Sequence, residues 1–204
     1  SHTPGRTYRG ETGDTACDSY HRWREDIELL KSMHLKAYRF SVAWTRIAPT
    51  GGTDWNEKGF AYYDGLVNTL LEAGIEPYIT LYHWDLPQAL EEKGGWQNED
   101  TARAFAVYTA KMAEHFKGRV HQWFTFNEPA CIVKMGYGTG EHAPGLKLPL
   151  EGSSPAGRIS SMRTAFPRRS SAIRTPKTEW ASSPQAASAT PYLRQKQMWT
   201  PPGL

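Results

Sequence analysis

Apolar residues recur every three or four positions in three separate stretches of the chain, which is the pattern of amphipathic helices. The stretches cover residues 18–34, 56–73 and 98–118. Asn98 is suited to cap the third helix, and Gly74 follows the second where a left-handed residue commonly ends a helix. Each stretch therefore predicts one helix with a single face directed toward a core.

Short runs of strand-forming residues alternate with these helices. They cover residues 37–44, 75–83 and 120–129 and are nearly continuous in apolar residues, which is typical of strands covered on both faces. Three alternations of helix and strand indicate a parallel sheet, either an eightfold barrel or an open doubly wound sheet. No Gly-x-Gly-x-x-Gly loop follows any of the runs, so we favour the barrel over a dinucleotide-binding sheet.

Composition changes at about residue 152. Residues 1–152 contain 16 basic and 20 acidic side chains, whereas residues 153–204 contain 8 basic side chains and the single acid Glu179. The second segment is rich in Ser, Pro, Ala and Arg, and such a composition buries too little apolar surface to offset the entropy of ordering it. We expect a partial barrel domain over residues 1–152 and a disordered tail over residues 153–204.

Several classes of partner and location are not expected. The basic tail suits nucleic acid, but its aromatic residues Trp180, Tyr192 and Trp199 are sparse and no RNA-binding signature surrounds them. Cys17 and Cys131 match no metal-ligand spacing, so we expect packing thiols without a disulfide. No signal peptide and no apolar run of bilayer length is present, which favours a soluble cytoplasmic protein, although a signal could precede residue 1.

Polar residues stand beside aromatic ones at the end of each predicted strand. The ends read Trp-Thr-Arg at 44–46, Tyr-His-Trp-Asp at 82–85 and Phe-Asn-Glu at 126–128. In barrels of this kind the site lies at the C-terminal ends of the strands. A sugar needs hydrogen-bonding groups for its hydroxyls and aromatic faces for its C–H surfaces. These ends therefore predict a carbohydrate site.

Glu128 is the candidate proton donor, because it lies where an aromatic strand stops at a proline. Aromatic surroundings disfavour a charged carboxylate and so help an acid to keep its proton near neutral pH. An ordinary strand-end acid facing water is the alternative. His83 alone could be a core or surface group, Arg39 could neutralise a core acid, and Trp84 could serve packing only.

Four motifs occur in consistent order: Thr-Gly-Asp, Cys-Asp and Tyr-His-Arg within 12–22, Tyr-Arg-Phe-Ser at 38–41, Tyr-His-Trp-Asp-Leu-Pro at 82–87, and Thr-Phe-Asn-Glu-Pro at 125–129. Together they resemble glycoside hydrolase family 1, the β-glucosidase and 6-phospho-β-glycosidase family. The resemblance runs from about residue 1 to about residue 150. It implies an α/β fold, a partial (β/α)8 TIM barrel comprising strands two to four with their helices.

The resemblance also implies roles for individual residues. Glu128 would be the acid/base that protonates the departing glycosidic oxygen, and Asn127 would bind the sugar 2-hydroxyl. His83 and Trp84 would line the glycone subsite, and Arg39 would lie near the nucleophile. The implied partner is a small-molecule β-glycoside or oligosaccharide, and the mechanism needs no metal or organic cofactor.

The second carboxylate of a retaining glycosidase is not found. Such enzymes place two carboxyls about 5 to 5.5 Å apart, and the family draws its nucleophile from a later strand, in a Glu-Asn-Gly or similar segment that this sequence does not contain. The glutamine of the first strand is also absent. Glu141 and Glu151 lie in a Gly/Pro-rich loop that suits a nucleophile poorly. We expect little activity from this chain alone; the alternative function is non-catalytic carbohydrate binding.

The tail suggests a hypothesis about its own origin. The codons of Met198, Trp199 and Thr200 must read ATG-TGG-ACN, and in a shifted reading frame they contain GTG-GAC, which encodes Val-Asp. With compatible codons around it, the shifted frame can encode an acid- and alanine-rich segment that is typical of a helix. We therefore hypothesise a reading-frame slip soon after Gly152, which the coding DNA would decide.

Overall fold

The computed structural model describes residues 2–149. The helices are α1 (Ser19–Ser32), α2 (Trp44–Ile47), α3 (Glu57–Glu72), α4 (Gln88–Glu91), α5 (Glu99–His115) and α6 (Pro129–Cys131), and the strands are β1 (Ala37–Ser41), β2 (Glu76–Tyr82) and β3 (Gln122–Phe126). A π-helical stretch, Ile132–Thr139, follows α6, and 3-10 turns cover Tyr8–Gly10 and Gly95–Gln97. The three predicted helices are confirmed as α1, α3 and α5.

The three strands form one parallel sheet in the order β1-β2-β3. Arg39 on β1 pairs with Tyr78 on β2, which in turn pairs with Gln122 on β3. One further backbone hydrogen bond extends each pairing, from Val42 N–H to the Thr80 carbonyl at 2.9 Å and from Asn127 N–H to the Tyr82 carbonyl at 2.9 Å. The predicted alternation is confirmed, and the C-terminal ends of the strands meet at one edge of the sheet.

The helix ends follow local signals, of which the Asn98 cap and Gly74 were predicted. Asn56 and Asn98 cap α3 and α5, each by accepting a backbone N–H of the first turn with its side-chain oxygen. Gly74 and Gly118 adopt positive φ values of 68° and 76° after the same two helices. For α3 and α5, side chains and glycines encoded next to the helix therefore determine where it begins and where the chain turns back toward the sheet.

Aromatic residues dominate the core between the sheet and the helices. Trp44 and Tyr108 are fully buried and their rings stack with centroids 5.1 Å apart. Trp96 is also fully buried and donates its indole N–H to the Tyr82 hydroxyl at 3.1 Å. This core lies directly behind the strand ends, so it fixes the backbone that carries the polar side chains of the site.

The prediction that all three strands are covered on both faces is wrong. β2 is largely buried, but β1 and β3 are mostly exposed or half-buried, and Phe124 on β3 is 41% exposed. The reason is positional: within residues 2–149, β1 and β3 are the two edges of the sheet and each pairs on one side only. Apolar strand residues therefore face an open surface.

The first predicted strand is also too long. β1 ends at Ser41, and Trp44 begins the short helix α2. The chain turns inward here because the Ala43 N–H donates to the Tyr63 hydroxyl at 2.8 Å and Trp44 packs in the core. The segment 44–46 therefore belongs to a helix, not to a strand end.

The remaining sequence-based expectations have mixed outcomes. Cys17 and Cys131 are free thiols, but Cys17 is exposed and Cys131 half-buried, so the expectation of packing thiols is wrong for Cys17. In the part of the chain that the structure describes, no helix is both long and apolar enough to span a bilayer. The boundary at residue 152, the tail with its proposed frame slip, and Glu151 lie outside the described residues.

Candidate functional site

Residues on or directly after the three strands form one hydrogen-bonded network. Arg39 on β1 donates from Nη2 to Asn127 Oδ1 at 2.9 Å. Trp84, after β2, donates from its indole Nε1 to the backbone carbonyl of Asn127 at 3.0 Å. Asn127 itself follows β3. The structure therefore joins three of the five predicted site residues, although they lie in three different motifs.

Arg39 is held by three contacts. Besides the bond to Asn127, its Nε donates to the Thr80 hydroxyl at 2.9 Å, and its guanidinium lies 4.6 Å from the centre of the Phe124 ring. Within the described residues, both side-chain hydrogen bonds of Arg39 go to uncharged groups rather than to a core acid. The guanidinium is therefore positioned while its charge stays available to a ligand or to another acid.

His83 lies beside this network and is anchored to β1. Its Nδ1 is 2.9 Å from the Ser41 hydroxyl, and its ring centre is 5.3 Å from that of Trp84 in an edge-on arrangement. Since Ser41 occupies Nδ1, the other ring nitrogen, Nε2, can bind a ligand. His83 is exposed, so a solute can reach it from solvent.

Trp84 adopts an unusual backbone conformation, with φ at 80°. A bulky residue keeps a left-handed φ only where its surroundings hold it, and such strain is found mainly at functional sites. Here the indole bond to Asn127 and a ring contact to His142, with centroids 4.8 Å apart, hold the side chain. A cavity of about 560 Å³ adjoins Trp84 and is also lined by Glu141 and His142. Sequence reasoning did not single out His142.

Glu128 follows Asn127 but is exposed. Its φ of 42° is left-handed, and its carbonyl accepts the Cys131 N–H at 2.9 Å where α6 begins. The aromatic burial expected around this acid is not present in residues 2–149, because the neighbouring Phe124 and Thr125 of β3 are themselves exposed. The carboxylate also contacts the Cys131 thiol, whose pKa is raised by desolvation first and by Glu128 second.

Asp85, unlike Glu128, is half-buried beside the site, and burial removes much of its carboxyl group from water. Sequence reasoning gave it no role. Burial raises its pKa from 3.8 to about 6, against hydrogen bonds from backbone N–H groups that include those of His83 and Trp44. Its Oδ1 accepts the backbone N–H of His83 at 3.4 Å, and its buried Oδ2 has no hydrogen-bond partner among the described residues. Asp85 therefore lies beneath the corner that carries His83 and Trp84.

The chemistry available at the C-terminal ends of the strands is hydrogen bonding and proton transfer. Arg39 and the Asn127 amide supply donors, His83 supplies a ring nitrogen, and Glu128 supplies a solvent-accessible carboxyl group. Across residues 2–149, no cluster of three or more His, Cys, Asp or Glu side chains could hold a metal ion. The arrangement suits a ligand with many hydroxyl groups and a reaction that moves a proton.

The family of the chain is decided by a match to a family-wide sequence model. The model described as "Glycosyl hydrolase family 1" matches residues 1–195. The chain belongs to glycosyl hydrolase family 1. This match reaches beyond residue 150, where the resemblance carried by the motifs ends, and it confirms the family suggested by those motifs.

Individual relatives agree with the family match. The chain is 50% identical to beta-glucosidase A of Thermotoga maritima over 147 residues, which are 72% of this chain and 33% of that protein. It is 48% identical to lactase/phlorizin hydrolase of Rattus norvegicus over 149 residues, which are 72% of this chain and 8% of that protein.

Solved structures confirm the fold. The beta-glucosidase from Thermotoga maritima in complex with castanospermine matches with a TM-score of 0.70 at 50% sequence identity, covering 72% of this chain and 33% of that chain. The family 1 glycosidase chain therefore has the predicted α/β fold, three strands and their helices of a (β/α)8 barrel. It spans about a third of the length of the Thermotoga maritima relative.

Proposed function

We propose that residues 2–149 supply the proton donor and part of the sugar-binding surface of a retaining β-glycosidase that acts on terminal β-D-glucosides. The observation that carries the proposal is the network that joins Arg39 on β1 to Trp84 and Asn127 after β2 and β3, with Glu128 next to Asn127 in the chain. The names of the similar proteins, beta-glucosidase A and 1,4-beta-D-glucan glucohydrolase, support glucosides as the substrate class.

The hydrogen bonds of the network determine which atoms remain for a sugar. Asn127 uses Oδ1 to accept from Arg39, so its amide nitrogen is left to donate to a sugar hydroxyl such as the 2-hydroxyl. His83 uses Nδ1 on Ser41, so Nε2 is left for a second hydroxyl. A pyranose held between these two groups would lie at the C-terminal ends of β2 and β3, and Glu128 follows β3 directly in the chain.

The chemical step assigned to this region is proton transfer. Glu128 would protonate the departing glycosidic oxygen and later deprotonate the water that releases the sugar. A retaining mechanism also needs a carboxylate nucleophile about 5 to 5.5 Å away, and the proposal assigns that role to no residue between 2 and 149. We therefore expect the 204-residue chain to bind sugar analogues without hydrolysing glucosides.

Calorimetric titration with deoxynojirimycin tests the binding part of the proposal, since this compound is present in a solved structure of the Thermotoga maritima relative. We expect saturable binding by the full chain and a loss of roughly tenfold or more in Asn127→Ala, the size expected for a lost hydrogen bond together with an unpaired Arg39. Asn68→Ala is the matched control, because Asn68 binds Arg119 instead. Equal affinities in both variants would contradict the site.

The catalytic part needs a barrel completed with the remaining segments of the Thermotoga maritima relative. In that chimera, Glu128→Gln should strongly slow hydrolysis of a glucoside with a poor leaving group, because departure of that group needs the proton. Azide should partly restore turnover of a glucoside with a good leaving group, because it attacks the glycosyl-enzyme without needing a base. Unchanged hydrolysis would contradict the acid/base role of Glu128. Sugar binding without any hydrolysis by the unsubstituted chimera would favour the alternative, a non-catalytic carbohydrate-binding protein.

We also propose a cytoplasmic location. Cys17 and Cys131 are both free thiols, which fits a reducing compartment such as the cytoplasm. Rapid alkylation of freshly lysed cells checks this, because Cys17 is exposed and should be fully modified. Recovery of Cys17 in a mixed disulfide would argue against a cytoplasmic location.

A further inference from the structure

Thr80 is a buried polar residue directly behind the candidate site. It is 0% exposed in the middle of β2, and its hydroxyl oxygen accepts the Nε–H of Arg39 at 2.9 Å. A buried hydroxyl is unfavourable unless it is hydrogen-bonded, and here its partner is an exposed side chain of the site. We propose that Thr80 is a positioning residue that fixes the Arg39 guanidinium and, through it, the orientation of the Asn127 amide. The inference rests on the proposed sugar site.

The geometry of the guanidinium explains how one threonine can act on another strand end. Nε and Nη2 point from the same edge of the planar group, and they reach Thr80 and Asn127 at the same 2.9 Å. The Phe124 ring lies 4.6 Å away against the guanidinium. If the hydrogen bond to Thr80 is removed, the Arg39 guanidinium can rotate over the Phe124 ring. Its Nη2 is then no longer held in the direction of Asn127 Oδ1.

The consequence for Asn127 follows from the chemistry of arginine, which can only donate hydrogen bonds. Asn127 must therefore present Oδ1 to Arg39, which leaves the amide nitrogen as the group that meets a ligand. The backbone of Asn127 is already fixed by Tyr82 and Trp84. Rotation of the amide is thus the freedom that Arg39, held by Thr80, removes.

The test measures the Arg39 Nε–H directly in the full chain by NMR of 15N-arginine, with the signal assigned by its loss in Arg39→Lys. Thr80→Val removes the hydroxyl at nearly constant volume, and Thr80→Ser keeps it. We expect exchange of this hydrogen with water to be about tenfold faster in Thr80→Val, the size of one hydrogen bond to a charged group, and unchanged in Thr80→Ser.

Thr109→Val is the matched control, because Thr109 is 7% exposed and its hydroxyl donates to the Ala106 carbonyl within α5. It should leave the Arg39 signal unchanged. An exchange rate in folded Thr80→Val equal to that of the parent chain would overturn the proposal.

A second measurement applies if Thr80→Val fails to fold. In the parent chain, the Arg39 Nε–H should exchange at least about tenfold more slowly than that of Arg103, which uses Nη1 and Nη2 on exposed carboxylates. Equal rates would overturn the role of Thr80. A parent chain that does not bind deoxynojirimycin would contradict the proposed function, while the exchange rates would still decide what Thr80 does.

Discussion

Asp85→Asn is expected to change the pH dependence of stability in a specific direction. Burial raises the pKa of Asp85 from 3.8 to about 6, so the folded chain holds this proton more tightly than the unfolded chain does. Between about pH 4 and pH 6 the folded state binds more protons, and the free energy of unfolding therefore falls as pH rises through this window. Above pH 6 the loss is complete, and a neutral asparagine does not incur it.

The size of the effect follows from the two pKa values. A change from 3.8 to about 6 corresponds to roughly 3 kcal/mol, at about 1.4 kcal/mol for each tenfold change in the ionisation constant. Part of this loss of stability has already occurred at pH 4, so the free energy of unfolding should fall by about 2 to 3 kcal/mol between pH 4 and pH 7.5. Oδ2 of Asp85 has no hydrogen-bond partner among the described residues. Any cost of placing an unpaired asparagine amide there is the same at both pH values, so it cancels when they are compared.

Urea unfolding followed by tryptophan fluorescence at pH 4 and pH 7.5 measures this difference. Asp54→Asn is the control, because a hydrogen bond from the Thr50 hydroxyl lowers the pKa of Asp54 below 3.8, so its pH-dependent contribution changes mainly below about pH 4. Asp85→Asn should gain stability relative to the parent chain as pH rises from 4 to 7.5, and the difference between Asp54→Asn and the parent chain should stay nearly constant. A variant at Asp85 that loses the same free energy at both pH values would refute the reasoning.

Three further predictions concern single contacts. Gly95→Ala should lower the melting temperature markedly, by the equivalent of about 2 kcal/mol or more, because φ is +53° and the added Cβ would lie 2.5 Å from a neighbouring tyrosine hydroxyl. Asn98→Ala should cost about 1 kcal/mol in urea unfolding through loss of the α5 cap, whereas Asn98→Asp should be nearly neutral. Glu128→Gln should speed alkylation of Cys131 at pH 8, measured against Cys17 in the same sample, because Glu128 raises the pKa of that thiol. An unchanged rate would show that the two groups do not interact.

Local signals predicted most of the regular structure. The period of apolar residues is a property of ten to twenty consecutive residues, and the caps at Asn56 and Asn98 act within one helical turn. The π-helical stretch Ile132–Thr139 was not predicted, because the period of apolar residues carries no information about the loop that packs against it. A Cβ at Gly136 would lie 2.9 Å from the Ala143 carbonyl in that loop.

The site could be predicted only in part. Motifs selected Arg39 and Asn127, which lie 88 positions apart and are hydrogen-bonded in the structure. Thr80 was missed because a threonine in an apolar strand has the pattern of an ordinary strand former. The desolvation of Asp85 depends on groups brought in from distant positions, and the exposure of Glu128 depends on sheet edges, neither of which periodicity describes.

The left-handed backbone at Glu128 has a consequence for how the chain can change over time. An L-residue in this conformation is less favourable than glycine by about 1 to 2 kcal/mol, and φ at this position is 42°. Substitution by glycine would therefore raise the free energy of unfolding while removing the carboxyl group that follows β3. Directed evolution for heat tolerance alone should enrich glycine here, and a screen that keeps glutamate would reveal selection for chemistry.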